Sequence, residues 1–187
     1  AAIATVLIAV TIGAVVGGFA LVRFLGEPTA VQQLSSLIFI ALLVCGFASE
    51  LVTVPLPNGG RLTASFSILF ASLLELGARP TIAILAITTL VGGVLVQRRS
   101  WALSLFNFGQ YTLSYLAANA VLGLGHYSLG HTSGSLGLLA LATLGYLLTN
   151  IVLVDGYISL EKKVPIHRVL WEDDRWELLF TAIQAPI

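Results

Sequence analysis

From residue 3 to residue 160 the chain is a succession of apolar runs, most of them about as long as a bilayer core is thick, broken by short turns. Lipid offers no water to backbone N–H and C=O groups, so each run must satisfy its own hydrogen bonds, and a helix is the local way to do that. Hydrophobic residues make up 57% of the 187 and charged ones only 10%, against ~25% charged residues in a soluble domain. With a mean hydropathy of +0.97, the implied solvent is the lipid bilayer. Nine basic and nine acidic residues cancel, which excludes nucleic acid as an electrostatically drawn partner.

The runs predict an all-α integral membrane protein, a bundle of six transmembrane helices over 3–22, 34–52, 63–77, 80–97, 100–124 and 135–160. Gly13, Gly17 and Gly18 give the first span small residues at which another helix can approach closely. Residues 53–63 read as a non-helical surface or re-entrant stretch, because Pro55 and Pro57 lack N–H donors and Asn58-Gly59 is a hairpin-turn signal. No Gly-Lys-Ser/Thr sequence accompanies its glycines, so a phosphate cradle is not indicated. Pro80 opens the fourth span, whose Thr88, Thr89, Gly92 and Gly93 suit close packing against the fifth.

The organisation expected is a six-span membrane domain at 1–160 and a cytoplasmic-face amphipathic segment at 161–187. The second part holds half of all the charges together with Trp171 and Trp176, a headgroup-level composition. Its apolar end, 178–187, is either interfacial or the start of a truncated seventh span. The sequence contains no methionine and begins Ala1-Ala2, which reads either as a chain with something removed from its start or as part of a longer polypeptide.

On the fifth span, Ser100, Ser104, Asn107, Tyr111, Ser114 and Ala118 fall in one band at helical spacing, with Gln110 on its shoulder and Leu105, Gly109, Thr112 and Leu116 opposite. A carboxamide turned to lipid costs on the order of several kcal/mol, so this band should face protein or a watered cavity. The sixth span repeats the pattern with Thr143, Tyr146, Thr149, Asn150 and Tyr157. Asn107, Gln110, Tyr111, Ser114, Tyr146 and Asn150 are therefore the candidate ligand-binding residues of a pocket between the fifth and sixth helices. The same residues would serve a purely structural bundle through interhelical hydrogen bonds of about 0.6 to 2 kcal/mol each.

Three acids fall within spans. Glu50 lies in a last turn and reads as structurally paired or part of a site; Glu75 precedes Arg79 by four residues, the spacing of a helical ion pair; Asp155 lies near an end where it can snorkel or meet Lys162. No nucleophile–base pair is suggested by spacing, so no catalytic residue is expected. Cys45 reads as a small buried hydrophobe, and His126 and His131 lack a nearby carboxylate or thiol, so no metal site is expected. The sequence leaves the cofactor unknown.

Short loops of a six-span chain alternate sides. Arg61, Arg98, Arg99, Lys162, Lys163, Arg168 and Arg175 fall on one and Arg23 and Arg79 on the other, which puts the first group and both ends of the bundle in the cytoplasm.

The stretch Leu56-Pro57-Asn58-Gly59-Gly60-Arg61-Leu62-Thr63-Ala64-Ser65-Phe66, the turn ending at Pro80, the pair Arg98-Arg99 and Phe106-Asn107-Phe108-Gly109-Gln110-Tyr111 follow a familiar order. It resembles the multi-span membrane region that precedes the cytoplasmic HD-GYP or GGDEF domain in bacterial cyclic-di-GMP signalling proteins. A looser similarity is to the six-span substrate-capturing components of vitamin importers. The first resemblance spans about residues 51–176 and implies a non-catalytic sensory domain in the bacterial inner membrane, with a protein partner or a cytoplasmic domain beyond residue 187. No HD-GYP or GGDEF motif occurs in the chain. The other readings are an accessory or scaffold subunit of a larger membrane complex, pigment-binding included, and a transport component that captures a small molecule.

Overall fold

The computed structural model describes residues 2–51, 53–55, 61–63, 65–124 and 132–169. The Asn58-Gly59 turn, the loop with His126 and His131, and the stretch 170–187 lie outside the described residues. The chain forms α1 (Ala2–Leu25), α2 (Ala30–Leu34) and α3 (Leu37–Leu51), then a ribbon of β1 (Thr53–Pro55) and β2 (Arg61–Thr63). Then come α4 (Ser65–Leu76), α5 (Ala78–Ala86), α6 (Trp101–Leu124), α7 (Thr132–Lys162) and α8 (Ile166–Val169); α5 runs on as a π-helix over Ile87–Val96. The all-α expectation holds apart from the ribbon, which falls where helix was excluded. Its strands are antiparallel with Pro55 opposite Arg61.

Among the described residues three helices are long and apolar enough to cross a membrane, Val6–Leu25, Ala78–Val96 and Leu136–Lys162. They coincide with the first, fourth and sixth expected spans. At 24 residues α6 would reach about 36 Å, but its amides and hydroxyls lower its hydropathy. The 15 residues of α3 and 12 of α4 cover only about 22 and 18 Å, short of a ~30 Å hydrocarbon core. The second run is shortened by Ser35-Ser36. Ser36 Oγ accepts the Phe39 N–H at 3.2 Å and caps α3, while Ser35 Oγ donates to the Gln32 carbonyl.

Two segments occupy the centre. Every residue from Pro80 to Ala86 is buried, and α6 packs against α1, α4, α5, the π-helix and α7. The outer sides of α1 and α7 expose Ile8, Ile12, Phe19, Leu136, Leu148 and Val152, while Ser72, Thr81, Thr88, Thr112 and Ser114 are wholly buried. Cys45, expected inside, is exposed on α3, because that helix turns its Phe39 side to the core.

Glycines set the closest approaches. A Cβ on Gly13 would collide with the Gly109 carbonyl, and one on Gly17 would lie 2.8 Å from Thr112 Oγ1, whereas Gly18 faces open space. Thus Gly13 and Gly17, but not Gly18, form the surface on which α6 rests. The fourth run behaves similarly: Gly93 meets Ser104 Oγ on α6, though Gly92 faces Phe47 on α3.

At the opposite end from the basic Gln97-Arg98-Arg99 turn, Gly77 has φ 81° and separates α4 from α5. Thr81 Oγ1 donates to the Gly77 carbonyl at 2.8 Å and shares a 3.0 Å hydrogen bond with Ser72 Oγ. The break turns Arg79 away from Glu75. Arg79 pairs instead with Glu27, and Glu75 is exposed, so neither the expected Glu75–Arg79 pair nor an inward-facing Glu75 forms. The Arg79 side chain is 60% exposed, so Arg79→Ala is expected to lower stability by no more than about 0.5 kcal/mol, an effect that added salt removes; comparative unfolding at low and high salt checks this.

Candidate functional site

The rings of Tyr115 and Tyr146, 4.8 Å apart, and of Phe106 and Tyr157, 5.5 Å apart, fix the antiparallel register of α6 on α7. Interpolating between them puts Asn150 level with Tyr111, and Asp155 level with Asn107. Gln110, Ser114, Tyr146 and Asn150 are buried and Tyr111 half-buried, so the two polar bands do turn inward. Thr112 and Gly109, expected on the far side, are also buried, because α1 covers that face.

The space between α6 and α7 near Tyr115 is filled. Tyr146 stacks obliquely on Phe66 of α4 at 4.7 Å, and the Tyr115 hydroxyl donates to the Phe66 carbonyl at 3.3 Å. Ser114 Oγ donates back to the Gln110 carbonyl at 2.9 Å. Near this knot Gln110 Oε1, Asn150 Oδ1 and Thr112 Oγ1, and farther along α6 Ser104 Oγ, are buried with no hydrogen-bond partner among the described residues. Each such atom costs about 1 to 3 kcal/mol, so these buried oxygens work against stability.

An accessible space opens nearer the basic turn, beside the close contact of α1 with α6. It is a half-open groove of about 820 Å³ between Leu7, Val10 and Ala14 of α1, Phe106 and Asn107 of α6, and Val154 and Tyr157 of α7, with Ser100 at one end. That volume lies in the range of small-molecule sites. Of the six residues expected to form a pocket, only Asn107 lines this groove; Gln110, Tyr111, Ser114, Tyr146 and Asn150 lie outside its lining. Sequence reasoning missed the contribution of α1. The Gly13/Gly17 pair was the available signal, since it marks α1 as the helix packed on α6.

The acids divide by environment. Glu50, 8% exposed, accepts from Gln97 Nε2 at 2.8 Å through its carboxylate and at 2.9 Å through its carbonyl. The pairing reading of Glu50 is thus realised with a carboxamide, and it ties the end of α3 to the end of the π-helix. Asp155 is only 2% exposed and does not snorkel to water, because α7 continues seven residues past it to Lys162. Among the described residues no three His, Cys, Asp or Glu side chains gather as a metal site would require.

Beyond α7 the chain folds back: Ser159 Oγ donates to the Val164 carbonyl at 2.6 Å, the Val164 N–H returns to the Ser159 carbonyl, and Lys163 takes φ 56°. Comparison of this chain with protein-family models, with curated proteins and with solved structures finds no match.

Proposed function

We propose that the chain is a membrane-embedded, non-catalytic ligand-binding domain that holds an amphipathic molecule in the α1–α6–α7 groove and passes its occupancy to the segment following α7. In this reading α1, α5 with its π-helix, α6 and α7 cross the bilayer, and α3 and α4 form a shorter pair closed by the ribbon. The basic turn and the end of α7 face the cytoplasm of a bacterial cell. The role is that of a sensory region in a cyclic-di-GMP signalling protein, as the motif order suggests.

The observation that carries the reading is the Asn107 carboxamide in a mostly apolar groove whose other polar side chains are those of Thr11, Ser100 and Tyr157, a few polar anchors among hydrophobic walls. The apolar exterior and hydroxyl-rich interior support the membrane setting. The exposed row Ile8, Ile12, Val15 and Phe19 on α1 favours a second reading, an accessory subunit that packs this face on a partner. Stable co-purification in a fixed stoichiometry would support it.

Thermal unfolding of the purified chain in detergent, against a panel of acidic and neutral amphipathic metabolites, tests the first reading. At about a hundredfold excess over Kd a true ligand raises Tm by roughly 5 to 10 °C. Asn107→Leu is expected to abolish that rise while leaving the ligand-free Tm nearly unchanged, since Asn107 is only half-buried. A rise that survives the substitution would remove Asn107 from the site.

A further inference from the structure

We propose that the occupant of the α1–α6–α7 groove is an acyl chain of an anionic phospholipid drawn from the surrounding bilayer, with its headgroup at the Arg98-Arg99 turn. The inference rests on the ligand-binding reading above and names the chemistry of that site.

The groove has two chemically different ends. Its length is lined by Val10, Ala14, Leu105, Val154 and Ile158, which offer nothing to a charged ligand and everything to a hydrocarbon chain. One end is formed by Ser100, which directly follows Arg98 and Arg99. Arg98 is exposed and Arg99 half-buried, and among the described residues neither guanidinium is in an ion pair. The Arg99 N–H donates to the Gly93 carbonyl at 2.9 Å and Arg98 takes φ 54°, so the backbone of this turn is held at the end of the π-helix.

The charges facing this end from the other elements point the same way. On α7, Ile158 lines the groove, and Glu161, Lys162 and Lys163 follow within about a turn. Arg98, Arg99 and Lys163 outnumber Glu161 at this end, while Asp155, beside the lining residue Val154, is buried and Glu50 is held by Gln97. Apolar walls leading to a basic mouth fit an acyl tail and an acidic headgroup. A basic pocket between helices on the cytoplasmic side is the arrangement that selects anionic headgroups. Asn107, inside the groove, is placed to donate to an ester carbonyl between the two.

Trp101 stands between Arg99 and the groove residue Ala102 and is 67% exposed, so it reports on lipid at this mouth. The full chain carrying Trp171→Phe and Trp176→Phe is reconstituted into phosphatidylcholine bilayers with brominated phosphatidylglycerol or brominated phosphatidylcholine at equal mole fraction, and quenching of Trp101 is read. Stronger quenching by the anionic lipid is expected. Arg98→Gln and Arg99→Gln should each lower the relative affinity roughly fivefold, and together about 25-fold. Val15→Phe, which narrows the groove from its exposed side, should release the anionic lipid retained in native mass spectrometry without lowering Tm.

Equal quenching by both lipids, or selectivity unchanged in the double arginine variant, overturns the anionic assignment and leaves the membrane-embedded reading standing. Quenching by neither lipid overturns the membrane-embedded reading itself. Lipid retention that survives Val15→Phe places the lipid elsewhere and overturns the groove as its site.

Discussion

Gly109→Val is expected to be the most damaging single substitution in the described residues, costing at least about 3 kcal/mol, the upper part of the range for forcing atoms into a packed core. The reason is the identity of the obstacles. A Cβ at this position meets the Val10 carbonyl below any normal contact, Val10 Cγ1 at 3.0 Å and the Ala14 N at 3.1 Å. Two of those three atoms are backbone and cannot rotate away, so α1 as a whole must lift off α6. Gly18→Val, on α1 but facing open space, is the matched control and should leave stability unchanged. Unfolding in mixed micelles, read by near-ultraviolet circular dichroism, separates the two; equal midpoints would show that the α1–α6 crossing is not the close contact described.

The second large effect belongs to Gln97. Gln97→Leu removes the donor that serves both the Glu50 carboxylate and its carbonyl, and is expected to cost about 2 to 3 kcal/mol, the worth of a hydrogen bond to a charged group that is left unpaired on burial. The charge is what makes the loss severe. If so, Glu50→Leu in the Gln97→Leu background should recover most of the stability, because an apolar pair leaves no stranded carboxylate. A double-mutant cycle measures this directly. Additive losses from the two substitutions would mean that the contact contributes nothing of its own.

Much of the helical layout was legible because it follows from one requirement, that backbone in an apolar medium be satisfied locally. Of the polar bands read from helical spacing on α6 and α7, Ser104, Ser114, Thr143, Tyr146 and Asn150 are buried, as is Gln110 on the shoulder, while Asn107, Tyr111, Thr149 and Tyr157 are half-buried and Ser100 is exposed. What spacing could not convey was the third dimension. Nothing in the run 34–52 announces that Ser36 caps a new helix, and nothing in Glu75-Leu76-Gly77-Ala78-Arg79 says that Arg79 will meet Glu27, 52 residues earlier in the chain. The pocket was assigned between the two polar bands, where the rings of Phe66, Tyr115 and Tyr146 close the space. The groove instead takes one wall from α1, whose seat on α6 at Gly13, Gly17 and Gly109 is a contact between runs far apart in the sequence.

The ten-residue π-helix over Ile87–Val96 carries one more consequence. Its last ring runs from the Gln97 N–H to the Gly92 carbonyl, five residues back. Gln97 closes that ring with its backbone and holds Glu50 on the neighbouring helix with its side chain, so one residue anchors the end of this uncommon helix twice. Gln97→Leu is therefore expected to raise amide exchange across residues 92–99.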